Sequence, residues 1–546
     1  MTDKNKRNPG GIRSTFVKCT SLAILFLIAI AIGADLDNIS RFFQQLIATP
    51  PLTEILVKSQ SGLSDAIRAA NNTETIVTTI RFGSDISLSG TLPKITSEII
   101  IKGDSFSIDG DNRFRVFEVS NGKLTINNLT IINGTATDGG AIYNFEGELD
   151  IFGCEFENNV TDESGGVIYN RAGNIRITNS HFESNTAIQN GGAIANFEGD
   201  MKVLASTFIA NSAGGGGAIY NYEGTLVLDT VALEGNSAQV GGAVFAGIVN
   251  GDGITVIKTA TIRDNSAQSG GAIVLVAGKM EISDNTHIYN NSADDSAGVI
   301  GIAEGNVTIT DSNIRDNSAS IGGVVAILEN TGTLAIRSSR LSNNSAQDGG
   351  VIHSVNGGSV SIVDSKVYSN SAESFGSVIF SNAATVYIND SVFSDNTSEG
   401  STIATSGGAL SVSNSGFTNN VGGKGGGAIG IMGAMVLVES SNFTGNSAEG
   451  GGAIMATENS TLTIANGEFS NNSANFGGAI YSLKGTTTIK NSKLSDNLAK
   501  QQGGAIWNSG GGLTVSNTEF DENSAISENN IWNSGGELTT SNVSFE

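Results

Sequence analysis

Acid and base work on a polymer needs a carboxylate and a cation held on one face, and two places in this 546-residue chain offer the pair side by side. They are Arg263-Asp264 and Arg315-Asp316, with Tyr289-Asn290 midway between them. If each of these segments is one turn of a stack, the two pairs lie about 10 Å apart, which a sugar could span. The plainer reading is solvated rows of opposite charge, and it is adopted: no residue is assigned a catalytic, cofactor-binding or metal-binding role, and no cofactor is expected. His181, His287 and His353 are the only histidines and fall at different positions of different segments. They are expected on the surface rather than around a metal. The glycines at 214–217 and 422–427 lack the Lys-Ser/Thr and the helix that a phosphate cradle needs. Tyr143, Tyr169, Tyr220 and Phe245 share one position. They are expected to face outward, either filling the surface of a strand or stacking on a sugar or protein.

What must position these residues is a repeat of about 26 residues. Gly139-Gly-Ala-Ile recurs as Gly165-Gly-Val-Ile, Gly191-Gly-Ala-Ile and Gly216-Gly-Ala-Ile, and on to Gly503, with looser copies at Ala297, Gly376 and Gly400. A fixed period of this length signals a stacked architecture. Three apolar columns appear when the copies are aligned: Ile142 to Ile506, alternating pairs such as Leu149 with Ile151, and Phe156 to Phe520. Alternation is the period of a strand with one face buried, and Gly, Asn, Ser and Thr interrupt too often for helices. The spacing predicts an all-β chain, a parallel β-helix with three short strands per coil and about fifteen regular coils.

Three residues after each member of the Phe column stands an asparagine, from Asn159, Asn185 and Asn211 to Asn523. Amides one coil apart can donate and accept along the axis, and Asn tolerates the left-handed turn conformation. This column is expected to form a ladder at a turn. A looser set including Asn179, Asp311, Asp364, Asp390, Asn466 and Asn517 marks a second turn. The Gly-Gly pair serves positive φ or close approach at a third. The Ca²⁺-binding nonapeptide pattern of other β-solenoids is absent.

Composition agrees. Gly reaches 71 residues and Pro only 4, which suits a chain that turns often yet keeps its N–H groups in ladders. The net charge of -24 is expected to repel phosphates, acidic polysaccharides and anionic headgroups, which disfavours nonspecific nucleic-acid binding. Two cysteines, Cys19 and Cys154, do not make a disulfide framework.

Residues 1–34 carry Lys4, Lys6, Arg7, Arg13 and Lys18 before the apolar run Leu22 to Ile32. This is a signal peptide or an N-terminal signal anchor, and either leaves the repeats outside the cytoplasm. Membrane contact is expected only through residues 19–34, if they are uncleaved. Residues 35–59 are expected to be a helical linker, 60–138 a cap helix followed by irregular coils, and 139–546 the regular stack. In the cap helix, Leu63, Ala66, Ile67 and Ala70 form one apolar face that would cover the first coil.

Gly-Gly-Ala-Ile linked to Phe-x-x-Asn in each coil resembles the polymorphic outer membrane proteins of chlamydiae, within the exported pectin-lyase-like right-handed β-helix proteins. The resemblance covers about residues 122–546. It implies a right-handed coil and a surface adhesin. Those relatives export themselves through a C-terminal β-barrel, whereas this sequence stops at Ser544-Phe545-Glu546 within a coil, with no membrane strands after the repeats. Self-export is therefore not expected, and the last coil is poorly capped, truncated or covered by a partner. The enzymes of that wider group set Asp with Arg or Lys from neighbouring coils on one face, and no such cluster is recognised here. The expectation is an exported, non-enzymatic surface or secreted protein of adhesion, binding or envelope structure, with an unknown protein or glycan ligand on its long face. The alternative is a polysaccharide lyase or glycoside hydrolase.

Overall fold

The computed structural model describes residues 53–73, 77–247, 253–329 and 331–546. Residues 1–52, which include the expected signal segment and most of the expected linker, lie outside the described residues; among the described residues no helix is long and apolar enough to cross a membrane. The structure is an all-β parallel solenoid of about 19 turns with one short helix. At about 4.8 Å per turn that is a rod of roughly 90 Å.

Three parallel ladders run its length, because each apolar column pairs with itself in the next coil. Ile142 sits on Ile168 in the first ladder, Leu149 and Ile151 on Ile175 and Ile177 in the second, and Phe156 on Phe182 in the third. Column residues such as Ile142, Leu149 and Phe156 are fully buried, so every coil contributes to one continuous core. The Phe column stacks ring on ring at 4.6 to 4.8 Å, as in Phe156–Phe182–Phe208 and Phe393–Phe417–Phe443–Phe469. A fourth row of very short strands, not foreseen, lies between the asparagines and the glycines, at Val160–Thr161, Thr186–Ala187 and Ser212–Gly215. It forms because the small Ala187 tucks inward there while Thr186 N–H reaches Asn159 O in the preceding coil.

The asparagine column is a ladder, as expected, but its position differs. Asn159 is fully buried and its Nδ2 donates to Asn185 Oδ1 at 3.0 Å, and the same link repeats down to Asn497 and Asn523. The left-handed turn residue is the one before: Asn158, Ser184 and Asp264 have φ near 55°. The backbone turns one residue early so that the amide points in. At the second turn the left-handed positions are indeed Asn179, Asp311 and Asp364, and the ladder is built by the serine after each. Ser312 N–H, for instance, donates to Ser339 Oγ at 3.1 Å. The Gly-Gly pair uses both properties, one per residue. Gly165 has φ of 72°, and a Cβ on Gly166 would meet Gly192 O at 2.0 Å.

A second buried asparagine ladder, also unforeseen, lies in the first strand: Asn144, Asn170, Asn196 and Asn221 link at 2.6 to 2.7 Å. Ala246 ends it.

Two boundaries move. Thr53–Val57 is a strand paired with Thr78–Phe82, so the expected linker over 35–59 gives way to the first rung before residue 60. Alternating Ile55 and Val57 against Ile80 and Phe82 explains it. The regular register also begins ahead of 139, since Phe117 pairs with Ile142 and Leu124 with Leu149. Helix α1, Gln60–Asn71, caps the start as expected. Ser59 Oγ accepts from Gly62 N–H, and Leu63, Ala66, Ile67 and Ala70 are buried on the core side. No proline follows Pro93, so the ladders lose no donor to proline.

Candidate functional site

Since the recurring residues point inward, any site must come from outward positions, which differ from coil to coil. The pairs singled out in the sequence are occupied with their neighbours. Arg263 Nη1 donates to Asp264 at 2.6 Å and Nη2 to Glu234 at 2.5 Å, and the bond to Asp264 holds the guanidinium above its usual range. Arg315 pairs with Asp316 and lies 4.4 Å over the Tyr289 ring. Asn290 Nδ2 bonds Asp264 at 3.2 Å. These are the rows of opposite charge expected, not an open acid and base.

The aromatic stripe is half-exposed, and its rings face each other. Tyr143 and Tyr169 stack at 5.3 Å with planes 7° apart, and Tyr220 and Phe245 at 4.7 Å and 11°. Ring normals therefore run along the rod, and ring edges, not faces, meet solvent. Arg115 covers the outer face of Tyr143 at 4.9 Å. Stacking of a sugar on this stripe is blocked by its own neighbours. Tyr481, Trp507 and Trp532 form a second such stack.

His353 corrects an expectation. It is buried, stacked on Phe380 at 5.1 Å, and its Nδ1 has no partner. Its position in the first ladder is that of the half-exposed aromatics, and flanking Phe380 closes over it. Burial lowers its pKa, with Asp348 opposing. Cys154 is a buried free thiol that burial pushes up to about 11, so it is no nucleophile near neutrality. Among the described residues no group of three or more His, Cys, Asp or Glu comes together as a metal site.

Two of the concave places along the rod bear on a site. In the first, the outward column Phe380, Ala404, Gly430 and Met455 shrinks at its middle two members. The result is an apolar notch of about 510 Å³ walled by Phe375, Phe380, Met432 and Met455. The second is a polar cleft of about 370 Å³ over the second turn of four coils. One wall is His287, Asn313, Arg340 and Lys366, which pair in register in successive coils. The other holds Asp311, Ser338 and Asp364, and Ser312 and Ser339 form the floor. The absence of a same-face Asp and Arg or Lys cluster in adjacent coils, expected from the sequence, is thus overturned. Arg340 and Lys366 directly precede Leu341 and Val367 of the Phe column, so their alignment was open to the sequence.

Residues 153–171, 440–457 and 466–483 each match the Chlamydia polymorphic membrane protein repeat. Three of the chain's repeats are of the polymorphic membrane protein type. Each matched stretch spans the Phe, the ladder asparagine and the Gly-Gly pair of one coil, such as Phe443, Asn446 and Gly451. Residues 246–417 match the right handed beta helix region, which agrees with the ladders. Polymorphic membrane protein repeats point to a surface or outer-membrane protein. No curated protein matches the chain. Among solved structures, a PL6 family alginate lyase, AlyGC, in an arginine-to-alanine variant, is 10% identical. That match covers 90% of this chain and 100% of the other, with a TM-score of 0.26.

Proposed function

We propose that the protein is an exported, non-enzymatic surface protein whose rod presents binding sites for adhesion. The observation that carries this reading is the division of labour in each coil. The residues shared between coils, Phe156, Asn159 and their equivalents, are buried and build the scaffold. Outward positions vary, as the part-exposed Tyr143, Val274, Phe380, Ala404 and Met455 show at equivalent places of one ladder. A stiff scaffold with a varied face suits recognition. The repeat type supports a place at the cell surface.

Cleavage of a polysaccharide is the second reading, favoured by Arg340 and Lys366 meeting on one face beside Asp364. One experiment separates them. The full chain is applied to arrays of glycans and host-surface proteins and, in parallel, to a lyase and hydrolase screen. Specific retention without turnover is the expected result, and turnover would replace the first reading by the second.

A further inference from the structure

We propose that the apolar notch over residues 375–457 is the docking site of a basic partner polypeptide, which enters it with aromatic side chains. The proposal deepens the reading of the rod as a binding surface and rests on it.

A gap in a stack is the first argument. The outward column of the first ladder stacks His353 on Phe380 at 5.1 Å before the notch and Tyr481 on Trp507 at 4.2 Å after it. Between Phe380 and Tyr481 stand Ala404, Gly430 and Met455, in register. Phe380 and Met455 are three coils apart, about 14 Å, so the two small residues leave places for two flat rings at the spacing of the stack. His353 takes one face of Phe380, and the other looks along the rod into the notch. Met455 offers a thioether to a ring from the far side. Open ring faces elsewhere are covered from within the chain, by Arg115 on Tyr143 and Arg315 on Tyr289. Among the described residues no cation covers Phe380 in that way.

The apolar surface runs on past the notch, which decides the size of the occupant. Phe375 is 52% and Met432 46% exposed, and across the turn at Gly433 the outward side of the next strand continues with Met435 at 66% and Leu437 at 37%. A small molecule filling about 510 Å³ would leave Met435 and Leu437 in water, whereas a polypeptide covers both. Clustered apolar exposure of this kind marks a protein contact. The surroundings fix the partner's sign. Lys424 is the only Lys or Arg between residues 371 and 460, a stretch with seven Asp and Glu, and it is paired with Glu399 at 3.6 Å. Asp348 lines the notch, and the exposed Glu439 and Glu458 follow close on Leu437 and Thr457. A second copy of this chain, at -24, is repelled by that frame, so the occupant is another protein, with Lys or Arg beside its aromatic residues.

The test selects short random displayed peptides on the full chain and measures the selected ones by calorimetry against the parent and two variants. Ala404→Trp sets a ring of the chain's own in the gap. Met432→Lys/Met435→Lys alters exposed side chains only, so it keeps the test decisive if the tryptophan variant does not fold. Selected peptides are expected to carry aromatic residues beside Lys or Arg and to bind each variant about tenfold or more weakly than the parent, while the thermal midpoint of Ala404→Trp stays the same or rises. A selection that returns no specific peptide, or acidic or non-aromatic ones, overturns the proposal, as do peptides that both variants bind as well as the parent does. Self-association of the full chain in sedimentation that Met432→Lys/Met435→Lys abolishes would seat a second copy in the notch and overturn the basic partner. A protein retained on the arrays equally by parent and variants overturns the notch as the site, yet leaves the binding reading intact.

Discussion

Asn370 shows how much one inward amide holds. Its Nδ2 donates to Asn396 Oδ1, Leu341 O and Tyr368 O at 3.0 to 3.1 Å, and its Oδ1 accepts from both the backbone and the side chain of Asn344. Asn370→Ala orphans several buried groups at once, each worth about 1–3 kcal/mol. Its urea midpoint should fall at least as far as that of Phe443→Ala, for which a cavity between Phe417 and Phe469 implies a loss of about 3–5 kcal/mol. His353 gives the pH dependence a sign. Burial depresses its pKa below the ordinary 6.5, so under mild acid the unfolded chain takes up a proton that the folded one refuses. Its contribution to stability is whole above about 6.5 and is lost as pH falls through the folded value. Thermal midpoints measured from pH 7.5 to 5 should fall for the parent and fall less for His353→Phe, which keeps the stack on Phe380. At this scale the sequence was readable where one rule sufficed. The Phe and Asn columns followed from a constant offset of three residues. His353 did not, because its burial depends on Phe380 in the next coil.

The single helix is an element with a checkable duty. Leu63 and Ile67 of α1 seal the first rungs, so Ile67→Asp should raise hydrogen exchange in Thr53–Val57 and Thr78–Phe82 far more than in Ile429–Met432. Exchange equal at both ends would mean that the cap has no local sealing role. Ladder identity and the three turns were legible from periodicity, since strands with alternate burial read the same in every copy. The fourth row was not, because Thr-Ala and Ser-Ala pairs carry no apolar alternation. The ladder at Asn144, Asn170 and Asn196 recurs plainly in the sequence, but a polar residue at an inward strand position has no meaning until its partner is placed above it. The alignment behind the polar cleft was legible, because Asn313, Arg340 and Lys366 each stand directly before a member of the Phe column, at Ile314, Leu341 and Val367; what the sequence did not show was the facing wall of Asp311 and Asp364 closing on them.

Considered whole, the molecule is a one-dimensional object in which each coil touches only its neighbours. Its core is continuous, and its charge of -24 is spread along the outside. A coil can accordingly acquire a new outward residue at small cost to its neighbours, which is how a cleft at residues 285–366 and a notch at residues 375–457 can share one scaffold. The like-on-like register has a further consequence. Removing residues 371–396 would join Asn370 to Thr397 and bring Asn344, Asn370 and Asn420 into succession, with every column still meeting its own kind. That excision should leave a cooperatively unfolding protein of nearly unchanged melting temperature, whereas excising only 371–383 should not fold. Length is then an adjustable quantity: unequal exchange between two coils within the gene would yield a longer or shorter product that needs no further redesign.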